Sequence, residues 1–103
     1  MIEFQEGYLT FYTYIITNKA KTVLYTGMTK NLKRRLTEHN DHVNLKSFSA
    51  RYNAHYLLYF EKFTWVELAI GREKEIKGWT RIKKIELIKT INPEMRFLNH
   101  LFE

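Results

Sequence analysis

Residues 11 to 27 read FYTYIITNKAKTVLYTG, and this stretch decides the fold. Phe11 to Thr17 is made of aromatic, β-branched and threonine side chains, which pack well on a pleated surface and lose rotamer freedom in a helix. Asn18 to Thr22 is short and polar, and Val23 to Thr26 is strand-like again. The two runs predict an antiparallel hairpin whose second strand ends at Gly27.

Working outward, the apolar pattern turns helical from Asn31 to about His42, with Thr29 or Asn31 available to cap the first turn. On that helix Leu32, Leu36 and His39 share a face, Arg35 leans toward it and Arg34 leans away. Residues 43–53 read as a polar connection containing Lys46 and Arg51. Tyr56 to Phe60 is a continuous apolar run, which predicts a strand covered on both faces. Thr64, three residues before Glu67, has the spacing of a capping box and opens a helix to about Trp79. Its apolar arc contains Trp65, Val66, Ala69, Ile70, Ile76 and Trp79, and two charged residues, Arg72 and Glu73, fall inside it. A third helix from Arg81 to about Thr90 is predicted to turn Ile82, Ile85 and Ile88 inward and Lys83 and Lys84 outward, stopping at Asn92-Pro93. The order β-β-α-β-α-α predicts an α/β fold of the α+β type, a small three-stranded antiparallel or mixed sheet flanked by helices.

The length of 103 residues suits one hydrophobic core, so a single domain over residues 1–103 is expected. The formal net charge of +6 is uneven: residues 19–51 carry +6 and residues 72–89 carry +4, around a near-neutral middle. Solvated helix surface is the ordinary explanation for either stretch, but together they suit an anionic partner, with nucleic acid first among candidates. Lys30, Lys33, Arg34, Arg72, Lys83 and Lys84 are the candidate backbone contacts. Hydrophobic residues at 45% and aromatics at 16% exclude a floppy basic tail. The absence of cysteine excludes thiolate chemistry, disulfides and cysteine-ligated metal, and the four histidines lack zinc spacing. With no leader-like or membrane-length apolar stretch, a cytoplasmic protein with no membrane partner is expected.

Individual residues have two readings each. Glu73 on an apolar helix face is either paired with Arg72 or another cation, or is a hard oxygen ligand for an ion such as Mg²⁺ that keeps most of its waters. Arg35 and His39, one turn apart, are either helix flank and core histidine, or a phosphate-stabilising guanidinium beside a proton-relaying imidazole. Tyr14 and Tyr25 are either sheet core or phenols that orient water. An ordinary phenol pKa of about 10 makes phenolate scarce at neutral pH, so a tyrosine base needs cationic neighbours or a metal-bound water.

Tyr12-Thr13-Tyr14, ten intervening residues, Tyr25-Thr26-Gly27, then Asn31-Leu32, Arg35-Leu36 and His39 resemble the signature of the GIY-YIG nuclease superfamily. The run from Arg72 to Trp79, followed by Asn92-Pro93, resembles a bacterial group of small single-domain members, and the resemblance covers roughly residues 10–98. It implies divalent-metal-dependent hydrolysis of nucleic-acid phosphodiesters, DNA ahead of RNA, with Mg²⁺ or Mn²⁺ as cofactor. By position it implies catalytic roles for Tyr14, Tyr25, Arg35, His39 and Glu73, with Glu73 as metal ligand and Asn92 as site support. Tyr12 stands where the first signature usually has glycine, and Thr13 and Thr26 replace isoleucines. Met28 occupies a place where some members, notably excision-repair incision subunits, have lysine. The rival expectation is a basic nucleic-acid-binding module of the same fold that cleaves little or nothing. Monomer and homodimer are both open.

Overall fold

The computed structural model describes residues 10–41 and 51–103. Its elements are β1 (Phe11–Thr17), β2 (Leu24–Thr29), α1 (Leu32–Asn40), β3 (Tyr56–Phe63), α2 (Val66–Lys77), α3 (Arg81–Lys89) and a terminal 3-10 turn (Asn99–Phe102). The strands form one open antiparallel sheet in the order β2-β1-β3. The α+β class, the antiparallel hairpin and the element order are those expected from the sequence.

Strand β1 lies in the middle and both of its faces are covered. Tyr14 and Ile16 pack with Leu57 and Ala54 against Leu32 and Leu36 of α1. On the opposite face Ile15, Leu58 and Tyr59 pack against Ile76 of α2 and Ile88 of α3. A register shift between Ile15 and Ile16 makes Leu58 an extra residue in β3, which lets Leu58 and Tyr59 both serve the second core. Thr13 donates its hydroxyl to the Ala69 carbonyl at 2.8 Å and so pins α2 to the sheet. The hairpin turn is closed by Asn18, whose side-chain oxygen accepts from the Thr22 amide at 2.8 Å and the Val23 amide at 3.3 Å. The other edge of β3 is covered by the C-terminal turn: Leu57 receives a bond from the Leu98 amide at 2.8 Å and gives its own amide to Asn99 Oδ1 at 2.8 Å.

Several boundaries differ from expectation, each for a physical reason. Strand β2 runs through Gly27 to Thr29, because Gly27 pairs with Tyr14 and its missing side chain leaves room for the Tyr14 ring. Strand β3 continues past Phe60 to Phe63. That extension moves the start of α2, so Trp65, with extended backbone and no side-chain cap bond, takes the N-cap position in place of Thr64. Glu67 then sits one position too early for a capping box, and Trp65 is 66% exposed and outside the core. Ile82 is 72% exposed. Residues three apart on a helix drift about 60° per step, so by the second step back from Ile88 the side chain has left the inward stripe. Lys84 accordingly is half-buried. Helix α1 is capped by Asn31, whose side chain accepts from the Arg34 amide at 3.0 Å, and it ends at Asn40; His42 and most of the expected polar connection lie outside the described residues.

Candidate active site

Tyr14 occupies the centre of the central strand and is 1% exposed. Its phenol lies across Gly27 of the neighbouring strand, so closely that a Cβ at Gly27 would stand 2.5 Å from Tyr14 Cζ. The phenolic oxygen is 2.9 Å from His39 Nε2. The ring of Tyr25, from the edge strand β2, meets the His39 ring edge-on at 5.6 Å between centroids. His39 is buried because α1 places it one turn beyond Leu36 and Arg35 on the helix face that meets the sheet. Arg35 stands beside the Tyr14 phenol and donates to Glu38 Oε1 at 3.0 Å, an i,i+3 pair that limits the guanidinium's freedom. Tyr14, Tyr25, Arg35 and His39 therefore form one cluster between α1 and the β1–β2 hairpin.

Burial dominates the protonation of Tyr14 and His39. It pushes the Tyr14 phenol up to about 12, outweighing the opposing pull of Arg35. It also drives His39 down to about 4, helped by the positive charge of Arg35 and only partly offset by Glu38. At neutral pH the phenol thus keeps its proton and the imidazole is uncharged. The compatible arrangement has the Tyr14 O–H donating to Nε2, which leaves the imidazole proton on Nδ1.

Glu73 lies on α2, the helix that packs on the opposite face of the sheet, yet its negative charge contributes to the raised Tyr14 pKa. The carboxylate is within electrostatic reach of the cluster. Its side chain is 20% exposed and its Oε2 lies 3.1 Å from Lys77 Nζ. Among the described residues no three His, Asp or Glu side chains come together as a metal cage. A single, partly solvated carboxylate fits a hard cation that keeps waters and takes phosphate oxygens from a substrate, and does not fit a dedicated protein-only site.

The remaining sequence candidates are dispersed. Arg72 is absorbed by the fold: its Nε donates to both Glu61 oxygens at 3.1 and 3.0 Å, its Nη1 donates to Glu75 at 2.7 Å, and the guanidinium lies 5.1 Å from the Trp79 ring centroid. Glu61, which also accepts from the Tyr59 hydroxyl at 2.5 Å, carried no local sequence signal. Glu38 did, being three residues beyond Arg35 and four beyond Arg34. Asn92 is buried and fully used, donating to the Leu58 and Arg96 carbonyls at 2.9 Å each and accepting from the Arg96 amide at 3.0 Å. Lys30 and Lys33 line a cleft beside Tyr12 on the α1 side, whereas Lys83 and Lys84 belong to α3 against the other face; the two basic stretches meet at the hairpin turn, where Arg81 donates to the Lys21 carbonyl at 2.8 Å and the Thr22 carbonyl at 3.1 Å. Arg34 is exposed and 4.0 Å from Glu38. No helix among the described residues is long and apolar enough to cross a membrane.

Comparisons with known proteins point to one family. The family model of the GIY-YIG catalytic domain matches residues 10–86. A UPF0213 protein of Syntrophus aciditrophicus is 37% identical over 91 residues, spanning 81% of this chain and 93% of the relative. One from Haloquadratum walsbyi is 40% identical over 76 residues, 74% of this chain and 83% of its own. The solution NMR structure of a UPF0213 protein from Bacillus halodurans is similar with a TM-score of 0.51 at 29% identity, covering 81% of this chain and 86% of that one.

Proposed function

Because the chain belongs to the GIY-YIG catalytic domain family, we propose that it is a divalent-metal-dependent endonuclease hydrolysing phosphodiester bonds of nucleic acid, DNA rather than RNA. The observation that carries the reading is the cluster of Tyr14, Tyr25, Arg35 and His39, assembled from two strands and a helix, with the Glu73 carboxylate acting on it electrostatically. A purely structural core has little use for a guanidinium beside a buried phenol and imidazole, since each polar group there costs desolvation.

In this reading Glu73 holds the metal, and Mg²⁺ or Mn²⁺ when bound supplies Lewis-acid polarisation of the phosphate and neutralises charge on the leaving oxygen. Arg35, restrained by Glu38, stabilises the additional negative charge that develops on the phosphoryl oxygens during attack. Tyr14 keeps its proton and acts as a donor that orients the His39 ring. Tyr25 holds the attacking water, with the uncharged His39 ring, fixed by Tyr14, packed beside it. Lys30, Lys33 and Arg34 attract the nucleic-acid backbone on this side.

The test is incubation of the purified chain with labelled single-stranded, duplex and branched DNA and with RNA, with and without Mg²⁺ or Mn²⁺. Metal-dependent cut products are expected, and Glu73→Gln should abolish them while leaving the circular dichroism spectrum and melting temperature unchanged. Undiminished cleavage by that variant refutes the assignment of Glu73. Binding that weakens steeply with salt, without products under any metal, makes the chain a basic nucleic-acid-binding module instead.

A further inference from the structure

Next to the cluster, on the same face of the sheet, lies a cleft of about 180 Å³ whose aromatic wall the hydrolytic reading does not use; its walls include Tyr12, Lys30, Leu32, Lys33 and Phe102. We propose that this cleft is a nucleotide subsite: it holds one unstacked base of the substrate strand against Tyr12 and Phe102, with the adjoining backbone phosphate on Lys30 and Lys33. The proposal rests on the nuclease reading for the nature of its ligand.

Three observations support it. The first is the aromatic wall. Tyr12 meets Phe102 edge-to-face at 5.9 Å and 86°, and both meet Phe60, at 6.2 Å and 5.0 Å. The three rings brace one another and stay half-buried, so they offer a stiff apolar surface with open area. The second is charge. Arg34, Arg35, Arg72, Lys77 and Arg96 are each ion-paired with a glutamate, whereas Lys30 and Lys33, like Lys74, Lys83 and Lys89 elsewhere, are exposed and form no ion pair among the described residues, and these two stand on the rim of the aromatic cleft. Two unneutralised ammonium groups beside aromatic rings are the combination that holds a single-stranded nucleic acid, one part gripping phosphate and the other stacking a base.

The third is position. Tyr12 precedes Tyr14 by two residues on the same face, a step of about 7 Å along the strand. Lys30 directly follows Thr29, which pairs with Tyr12. A strand whose scissile phosphate met Arg35 would therefore present a neighbouring nucleotide to the cleft. The volume is below the roughly 300–1,000 Å³ of pockets that enclose a whole small-molecule ligand, which suits a single flat group on a longer chain. A base that is paired and stacked in a duplex cannot enter without being extruded, so the subsite selects positions where a base is already unpaired.

The experiment uses the full chain carrying Glu73→Gln, to prevent cutting, with an oligodeoxythymidylate containing 5-iodouracil. Irradiation should attach the probe to Tyr12 or Phe102, located by mass spectrometry of the digest. In the same background Phe102→Leu and Tyr12→Leu should each weaken binding of the oligonucleotide by about five- to a hundredfold, and Tyr12→Phe should restore it. Lys33→Gln should weaken binding and flatten its salt dependence. Cross-links that form elsewhere or not at all, or a Phe102→Leu protein that binds within twofold of its parent, overturn the subsite. Phe102 lies in the terminal turn, and the cross-link needs no substitution in the cleft, so the proposal stays exposed to refutation even if Tyr12→Leu fails to fold. Cross-linking to Tyr12 or Phe102 by a chain that, with Glu73 intact, cuts nothing under any metal leaves the subsite standing and removes the nuclease reading. Cleavage with cross-links elsewhere does the reverse.

Discussion

Replacing Gly27 by alanine perturbs the site through one methyl group. The added Cβ would lie 2.5 Å from Tyr14 Cζ, inside any tolerable contact, and the ring it meets is 1% exposed and held by His39 at 2.9 Å. Neither side yields cheaply. Forcing a side chain aside in a packed core costs roughly 1–3 kcal/mol. Losing the phenol–imidazole bond, with both groups still buried, adds roughly another 1–3 kcal/mol. Alanine in a strand returns about 0.5–1 kcal/mol relative to glycine. The net expectation is a loss of about 1–5 kcal/mol, centred on about 3, a large fraction of the ~5–15 kcal/mol that holds an ordinary domain together. The assay is urea unfolding of four proteins: the parent, Gly27→Ala, Tyr14→Leu and the double variant. Leucine has no atom where Cζ stood, so in the Tyr14→Leu background the alanine should be neutral or slightly stabilising, giving a coupling energy close to the whole single-variant loss. Equal costs of Gly27→Ala in both backgrounds, within about 0.5 kcal/mol, would refute the claim that Gly27 is glycine on account of Tyr14.

Other consequences are as direct. His39 is held at about 4 in the fold against an ordinary value of 6.5, so the unfolded chain binds its proton first; the stability contribution is complete above pH 6.5 and is lost as pH falls toward 4. At 1.36 kcal/mol per unit the displacement corresponds to about 3 kcal/mol in all, and a His39→Gln protein should show a visibly flatter stability profile between pH 7.5 and 4.5 in chemical denaturation. Arg35→Lys keeps the charge but loses the planar fork; if Arg35 stabilises the transition state, kcat should drop about a hundredfold or more with KM changed only a fewfold, and a variant with parental kcat would remove that role. Asn92→Ala deletes one buried and two part-buried hydrogen bonds and should cost about 2–4 kcal/mol in urea unfolding, with cleavage unchanged at a permissive temperature if the residue is structural only.

What could be read from the sequence was local in cause. Strand β1 follows from side-chain type within seven residues, and the burial of Leu32, Leu36 and His39 follows from a helical period within one element. Arg72 and Glu73 were legible as misfits on the inward face of α2, where both are half-buried, but not what each would meet. Arg72 found Glu61, eleven residues earlier on another element, and that pairing has no short-range signature. The roles suggested for Tyr25, Arg35 and Glu73 came from resemblance alone, since a helical wheel by itself favours an ion pair over a metal ligand for Glu73. Gly27 shows the limit most clearly. Beside a strand-like run, glycine reads as a terminator, because the backbone freedom it brings is visible in the sequence and the ring that needs its empty space is not. The Tyr14 side chain comes from the neighbouring strand, and only the register Tyr14–Gly27 turns an apparent strand end into a seat for the phenol. Pairing across strands, more than propensity along one, determines which aromatic residues of this hairpin become core and which face the cluster.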